Sequence, residues 1–328
     1  MGFKTEHSQR NLGRSLMFDY KTSLGQAEFS NPIFTASGCA GSGRELSQFF
    51  QLSELGAVVT KSIMLKPRSG RATPRMAETP SGMLNSIGLQ GPGIDIFLEK
   101  DIPWLREQGA NIVVSIAGES VDDYAVLARK LRAVSGISAL EVNISCPNVE
   151  NRGQVFACQP NTARAAIEAV RRNIGGELPI IAKLTPDVTS IVEIAQEVVA
   201  AGADGLALIN TVLGMVIDTN TMRPKLAGKT GGLSGPAIRP VAVRAIYQVH
   251  EAMPHVKILG MGGVASGRDA FELILAGASA VSVGTATFGN PNAVMKVKEE
   301  LANELITHGF DSLKEAVGYA HRAEGNLL

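Results

Sequence analysis

Cysteine is scarce in this chain: Cys39, Cys146 and Cys158 are the whole set among 328 residues. Three scattered thiols make a poor disulfide framework, and they fall short of the four ligands of a cysteine-bound iron–sulfur cluster. Such sparse usage fits a reducing compartment, so a cytoplasmic location is the expectation. Charge of one sign is also lacking. Lysine plus arginine equals aspartate plus glutamate, at 31 each, which leaves no basic excess for nucleic acid or for an anionic membrane. No apolar run reaches membrane-spanning length, and Met1–Arg10 is too polar for a secretory signal. No Gly-x-Gly-x-x-Gly follows a strand pattern, so no Rossmann dinucleotide site is visible. The five histidines, His7, His250, His255, His308 and His321, fall in the leader or on outer helical and N-terminal-side segments. None is well placed for catalysis or for a metal, and no metal site is expected.

What the chain does have is core-forming material. Hydrophobic residues make up 45% and charged residues 19%, which excludes wholesale disorder. The stretch 1–24 lacks periodicity and is expected to be a poorly ordered leader. After Asn31, short β-branched and apolar runs alternate with amphipathic stretches. Strands are expected at Ile33–Ala36, Ala57–Lys61, Asn111–Ile116, Ala139–Ile144, Ile180–Leu184, Gly205–Ile209, Lys257–Leu259 and Ala280–Val283. Helices are expected at Leu46–Leu55, Ile94–Arg106, Val121–Val134, Thr162–Asn173, Ile191–Ala201, Ala237–Glu251, Ala270–Ala276 and Ala293–Ile306. Eight βα repeats favour a closed (β/α)8 barrel, a TIM barrel, over an open sheet, with 25–328 as a single domain. Three connections are long: Ser62–Gly93, Ser145–Asn161 and Thr211–Gly235. All follow strands, which puts them on the C-terminal face of a barrel, where active sites sit.

Polar residues cluster at those strand ends. Lys61, Asn143, Lys183, Asn210 and Thr211 each stand at or just past a strand. Singly, each reads as a satisfied cap; together they mark a barrel mouth, because desolvating two lysines without an anionic partner is costly. In Asn143-Ile144-Ser145-Cys146-Pro147-Asn148, the cysteine follows a strand and is flanked by hydrogen-bonding groups, which makes it a candidate base or nucleophile. Cys39 and Cys158 lack such a setting and read as small buried hydrophobes. Gly260-Met261-Gly262-Gly263-Val264 and Val283-Gly284-Thr285 follow the last two strands and allow backbone N–H groups to approach a phosphate. A phosphorylated substrate satisfies that signal as well as a flavin phosphate does; Lys61 and Lys183 favour flavin, since a cation near the ring stabilises its anionic reduced form.

These residues give the chain a close resemblance to dihydroorotate dehydrogenase, and to the NAD-linked branch of its class 1, over nearly all of residues 31–320. The motifs are Asn31–Gly38, Thr60–Ser62, Gly82–Gly93, Asn143–Val149, Ile209–Thr211, Gly231–Pro240 and Gly260–Val264. The resemblance implies bound FMN, contacted by Ser37, Lys61, Ser62, Asn143, Lys183, Ile209 and Gly235, with its phosphate at Gly262, Gly263, Gly284 and Thr285. It implies a pyrimidine held by Lys61, Asn85, Ser86, Ile87, Gly88, Leu89, Asn143, Asn148, Asn210 and Thr211. Cys146 would be the base that takes the C5 proton of (S)-dihydroorotate while hydride leaves C6 for flavin N5, with Lys61 assisting. One position departs from the family: Ser115 stands where an asparagine often contacts FMN, and its hydroxyl can still donate one bond.

Cysteine rather than serine at the base position separates the chain from the membrane-associated class, whose apolar N-terminal helix Met1–Leu24 does not supply. The NAD-linked branch further implies a partner subunit carrying FAD and an iron–sulfur cluster, and a homodimer within a heterotetramer. A dihydropyrimidine dehydrogenase-like flavin domain, a barrel lyase or isomerase acting on a phosphorylated substrate, and a flavin-binding regulatory module are the rival readings.

Overall fold

The computed structural model describes residues 18–145, 159–176 and 178–322, so Cys146, Asn148 and Cys158 lie outside the described residues. The first elements are a short hairpin, β1 (Thr22–Leu24) and β2 (Ala27–Phe29), turned at Gly25 with φ 58°. The end of the stretch 1–24, expected to be a poorly ordered leader, is therefore structured at Thr22–Leu24. Leu24 and Phe29 are buried together with Ala57, Ala139, Ile181, Ala207 and Ala280 from inside the sheet that follows, and Thr22 Oγ1 donates to Ser279 O. A three-residue strand is too short to show periodicity, but its burial holds it.

The remaining strands are, in chain order, β3 (Ile33–Thr35), β4 (Val58–Val59), β5 (Met76–Thr79), β6 (Gly82–Asn85), β7 (Ile112–Ile116), β8 (Ile137–Asn143), β9 (Ile180–Leu184), β10 (Gly205–Leu208), β11 (Val212–Met215), β12 (Ile217–Asp218), β13 (Arg223–Pro224), β14 (Thr230–Ser234), β15 (Lys257–Met261) and β16 (Ala280–Val283). Eight of these form one parallel sheet in the order β3-β16-β15-β10-β9-β8-β7-β4. That order is cyclic in sequence. The ring closes where Phe34 bridges Ala57 and Thr35 N donates to Ala57 O at 3.2 Å. The expected (β/α)8 barrel is thus the observed architecture.

Alternation along each strand divides the core in two. Phe34, Val59, Val113, Ala139, Ile181, Ala207, Leu259 and Ala280 point to the barrel axis and pack on one another. Their neighbours, among them Ile33, Val58, Ile112, Leu140, Ile180, Leu206, Ile258 and Val281, face the surrounding helices. Both faces are apolar, which is why the strands read as continuous hydrophobic runs.

Two of the helical expectations need correction. Leu46–Leu55 is not one helix but two 3₁₀ turns, Leu46–Gln48 and Leu52–Glu54, separated at Gln51 by extended backbone with ψ 126°. Leu46, Leu52 and Leu55 reach the core without a continuous helix. The Ile94–Arg106 stretch runs from Ile94–Ile96 through a π turn, Phe97–Asp101, into the α-helix Ile102–Glu107. Pro103 has no N–H to give the carbonyl four residues back, and the ladder widens ahead of it. The other helices, Val121–Leu131, Pro160–Ile174, Ile191–Ala200, Arg239–Ala252, Gly267–Ala276 and Ala293–Thr307, match their expected positions within a few residues.

The long connections after β4 and β10 are structured. They supply β5, β6, β11 and β14, which join as an antiparallel sheet in the order β11-β14-β6-β5. Gly82 and Gly235 let its backbones cross closely: a Cβ on Gly235 would lie 2.6 Å from Gly82 Cα, and one on Gly82 would lie 1.9 Å from Ser234 O. This sheet carries residues Met76, Met83, Asn85 and Ser234 to the barrel mouth.

Candidate active site

Period-two alternation carries the inward face of the barrel up to its C-terminal mouth. Above Ala139 come Glu141 and Asn143, above Ile181 comes Lys183, above Val113 comes Ser115, and above Ala207 comes Ile209. The register pairs Ser115 with Glu141 and Asn143 with Lys183. Apolar layers thus give way to a polar layer over two residues of rise.

Two connected cavities, of about 310 and 300 Å³, open above this layer. They share Ser37, Cys39, Lys183, Asn210, Thr211, Ser234 and Thr285. One is rich in glycine, with Gly235, Gly262, Gly263 and Gly284 on its wall beside Ile209 and Thr285. The other is lined by Lys61, Ser62, Asn85, Ile87, Gly88, Leu89 and Asn143. At the glycine end, Gly262 and Gly263 have φ of 126° and 77°, a backbone that side chains disfavour. A Cβ on Gly263 would lie 2.7 Å from Arg239 Cβ and 2.9 Å from Gly235 O. The two cavities form an elongated space with a backbone-lined end suited to phosphate and a lysine- and amide-lined end suited to an anionic planar ligand.

Hydrogen bonds fix the side chains at the second end. Asn143 Nδ2 donates to Ser62 Oγ at 3.0 Å, while its Oδ1 accepts from Ser145 N at 3.2 Å and Ser145 Oγ at 2.9 Å. Asn210 Nδ2 donates to Ser145 Oγ at 2.6 Å, and Asn210 Oδ1 accepts from Thr211 N. Both amides are therefore oriented by the fold: Asn143 Nδ2 keeps one N–H beyond its bond to Ser62, while Asn210 Nδ2 also lies 3.5 Å from Ser145 O. At the junction Thr285 Oγ1 donates to Ser234 Oγ at 2.8 Å.

Most of the residues singled out from the sequence meet here: Ser37, Lys61, Ser62, Asn85, Ile87, Gly88, Leu89, Asn143, Lys183, Ile209, Asn210, Thr211, Gly235, Gly262, Gly263, Gly284 and Thr285 line one cavity or both. Two do not. Ser115 is fully buried behind Ser62, with its hydroxyl bonded to Ser62 Oγ and Glu141 Oε1. Ser86 is fully buried and its hydroxyl accepts from Arg71 Nη1 at 3.3 Å, so it holds the loop. Cys146 and Asn148 lie outside the described residues; Ser145, the residue before Cys146, is buried behind the lining, where it bonds to Asn143 and Asn210.

The structure also adds residues. Cys39 lines both cavities, and burial pushes its thiol up to about 11 against the opposing pull of Lys183 and Lys61. Cys39 is thus not the small buried hydrophobe expected, being half-buried on the cavity wall, although its raised thiol pKa leaves it protonated at neutral pH. Glu141, fully buried 3.6 Å from Lys183, was not singled out. A signal existed: it is the one charged residue in the strand Ile137–Asn143, two places before Asn143 and so on the same face. Met76, Met83 and Ser234 come from the loop sheet, whose pairing the sequence does not display. Among the described residues no cluster of three or more potential metal ligands occurs, and no helix is long and apolar enough to cross a membrane.

Fold and cavity together define a class: a TIM barrel whose C-terminal mouth holds an elongated cavity, lined by glycine backbone at one end and by lysine and amide side chains at the other. The family model described as dihydroorotate dehydrogenase matches residues 20–305. The chain is 48% identical over 298 residues to the dihydroorotate dehydrogenase B (NAD+) catalytic subunit of Desulforamulus reducens, covering 91% of this chain and 97% of that one. It is 50% identical over 295 residues to the protein of the same description from Desulforudis audaxviator, covering 90% and 95%. The Bacillus pumilus counterpart is 48% identical over 294 residues, covering 90% and 94%. The chain belongs to the dihydroorotate dehydrogenase family, which is a family of oxidoreductases.

Proposed function

We propose that this chain oxidises (S)-dihydroorotate to orotate in de novo pyrimidine biosynthesis, with FMN bound along the elongated cavity. The observation that carries this reading is the pairing of a glycine cradle at one end with Lys61, Asn143 and Asn210 at the other, joined through Lys183. The residues fit a flavin mononucleotide. Gly262, Gly263, Gly284 and Thr285 would hold the phosphate, where added side chains would collide with the wall. Ser37, Lys61, Ser62, Asn143, Lys183, Ile209 and Gly235 would contact the rest, and Ser115 acts through Ser62 rather than by direct contact.

FMN supplies the two-electron acceptor. The chain's own residues do the remaining work. Cys146 takes the C5 proton of the substrate. Asn85, Asn143, Asn148, Asn210 and the backbone of Ile87–Leu89 fix the pyrimidine, which is a positioning effect. Lys61 and Lys183 stabilise negative charge on substrate and cofactor. The relatives are described as catalytic subunits, in keeping with a partner subunit that carries FAD and an iron–sulfur cluster and passes electrons to NAD. The assembly is a homodimer within a heterotetramer, in the cytoplasm.

The test is the visible spectrum of the purified chain before and after anaerobic dihydroorotate. The expected result is a yellow protein that releases FMN on denaturation and is bleached by dihydroorotate with formation of orotate. A well-folded protein without flavin, or one bleached by dihydrouracil and not by dihydroorotate, overturns the reading.

A further inference from the structure

Glu141 is the charged side chain that the proposed mechanism does not use. It is fully buried on β8, beneath the cavity and outside its lining. Its Oε1 accepts from Ser115 Oγ at 2.8 Å and stands 3.6 Å from Lys183 Nζ. Its Oε2 is buried and has no hydrogen-bond partner among the described residues. A buried carboxylate with one oxygen uncompensated is costly, and a fold that needed only packing here would hold an apolar side chain.

The hydrogen bonds above it have one consistent direction. A carboxylate only accepts, so the Ser115 proton goes to Glu141. Ser115 Oγ must then accept from Ser62 Oγ, 2.9 Å away. With its own proton committed, Ser62 accepts from Asn143 Nδ2 at 3.0 Å and from Ser37 Oγ at 3.3 Å. Asn143 is thereby held with its oxygen toward Ser145, whose hydroxyl in turn accepts from Asn210. A single acceptor at the root sets the direction of every bond in the chain, so that Asn143 turns its amide nitrogen to Ser62 and its oxygen to Ser145.

We infer that Glu141 is a positioning residue for the oxidoreductase site: it anchors Lys183 at the cavity wall and sets the direction of the Ser115–Ser62–Asn143 hydrogen-bond chain. This rests on the reading that the cavity holds FMN. Two consequences follow. The negative charge of Glu141 offsets part of the Lys183 charge, which moderates how strongly the site favours reduced over oxidised flavin. The ordered chain holds Asn143, which lines the cavity, in a single amide orientation for an anionic pyrimidine.

The experiment compares holoprotein of the wild type, Glu141→Gln and Ser115→Ala, reading flavin midpoint potential and orotate affinity by absorbance. Glu141→Gln keeps shape and an acceptor oxygen but removes the charge. It is expected to raise the preference for reduced flavin about tenfold, a shift of about +30 mV for a two-electron couple. Ser115→Ala leaves the Glu141 charge in place and cuts the chain; orotate affinity is expected to fall about tenfold with the potential changed far less. A merely structural role for Glu141 predicts lower stability in both variants with the potential and orotate affinity of the folded fraction unchanged, and that result overturns the inference. If Glu141→Gln does not fold, Ser115→Ala decides alone, and unchanged orotate affinity in it overturns the inference. A wild-type protein without FMN removes the underlying reading and the inference with it, whereas FMN-loaded variants that behave as wild type remove only the inference.

Discussion

Asn210 Nδ2 and Ser145 Oγ, 65 residues apart in sequence, meet at 2.6 Å behind the cavity wall that Asn210 lines. The contact ties the end of β10 to the residue that precedes Cys146. Ser145 passes this bond on to Asn143 Oδ1. Removing its hydroxyl takes one hydrogen bond from each amide, leaving Asn143 Oδ1 with Ser145 N and Asn210 Nδ2 with Ser145 O, at a cost of about 0.5–1.5 kcal/mol per bond. Ser145→Ala is expected to bind orotate about tenfold more weakly while retaining its flavin. The check is an orotate titration followed through the flavin spectrum.

Cys146, the proposed base, and Cys39, on the cavity wall, separate by substitution. A general base contributes about 10²–10⁴-fold. Cys146→Ala is expected to lose that factor in flavin reduction by dihydroorotate while still binding orotate. Cys39→Ala is expected to stay within a few-fold of wild type, because burial holds the Cys39 thiol near 11 and leaves it protonated at working pH. Stopped-flow flavin reduction measures both; comparable losses in the two variants would contradict the assignment of Cys146.

Bulk at the glycine cradle is expected to expel the cofactor. Gly263 has φ 77°, and any Cβ there lies 2.7 Å from Arg239 Cβ and 2.9 Å from Gly235 O. Gly263→Val adds strain and a clash with Arg239 and the Gly235 carbonyl, which displaces the backbone proposed to meet the phosphate. The expected outcome is a folded protein with little flavin, seen as a low ratio of visible to ultraviolet absorbance. Full flavin content in Gly263→Val would remove the phosphate assignment.

The barrel is legible in the sequence because both faces of each strand are buried, which leaves apolar runs such as Ile180–Leu184 standing between amphipathic helices. Lys61, Asn143 and Lys183 are legible for the converse reason: a polar residue that interrupts such a run at its end has few structural explanations. The loop sheet is not legible. Its β6–β14 pairing joins residues about 150 positions apart, and its members Met76–Thr79 alternate between exposed and half-buried without an apolar face. Glu141 escapes notice because a single acid in a strand reads as a surface position until its parity with Asn143 is counted. Leu46–Leu55 misleads because its leucines are spaced helically yet reach the core through two separate 3₁₀ turns.

Away from the site, His250 gives a pH dependence of stability. Its ring is clasped between Gly277 and Gly318, where a Cβ on either would come within 2.3 Å of it. Burial first, and then the nearby His321, Arg322 and Lys257, hold His250 below the usual histidine range. A depressed folded value means that the neutral ring is favoured in the native state. The contribution is therefore complete above the unfolded value of about 6.5 and is lost as pH falls below it. Wild type is expected to lose thermal stability between pH 7.5 and 5.5 more steeply than His250→Gln. Parallel Tm profiles for the two proteins would rule out His250 as the source.

Electrons taken from dihydroorotate must leave the chain, and the proposed route runs through another protein. The chain has no Gly-x-Gly-x-x-Gly after a strand, and its three cysteines are too few for a four-cysteine cluster. Among the described residues the cavity has one glycine cradle, at Gly235, Gly262, Gly263 and Gly284, which the proposed reading gives to a single phosphate. The isolated chain is therefore expected to reduce an artificial dye with dihydroorotate but to form NADH negligibly. Adding a subunit that carries FAD and an iron–sulfur cluster is expected to restore NADH formation without changing the rate of flavin reduction by dihydroorotate, because the two half-reactions occur in different polypeptides. Steady-state NADH formation, measured with and without the partner alongside stopped-flow reduction of the flavin, separates the alternatives. Rapid NADH formation by the pure chain would refute the division of labour. Brisk orotate formation with fumarate as sole acceptor would place the chain in the fumarate-linked branch, since fumarate needs no second subunit to reach the same cavity.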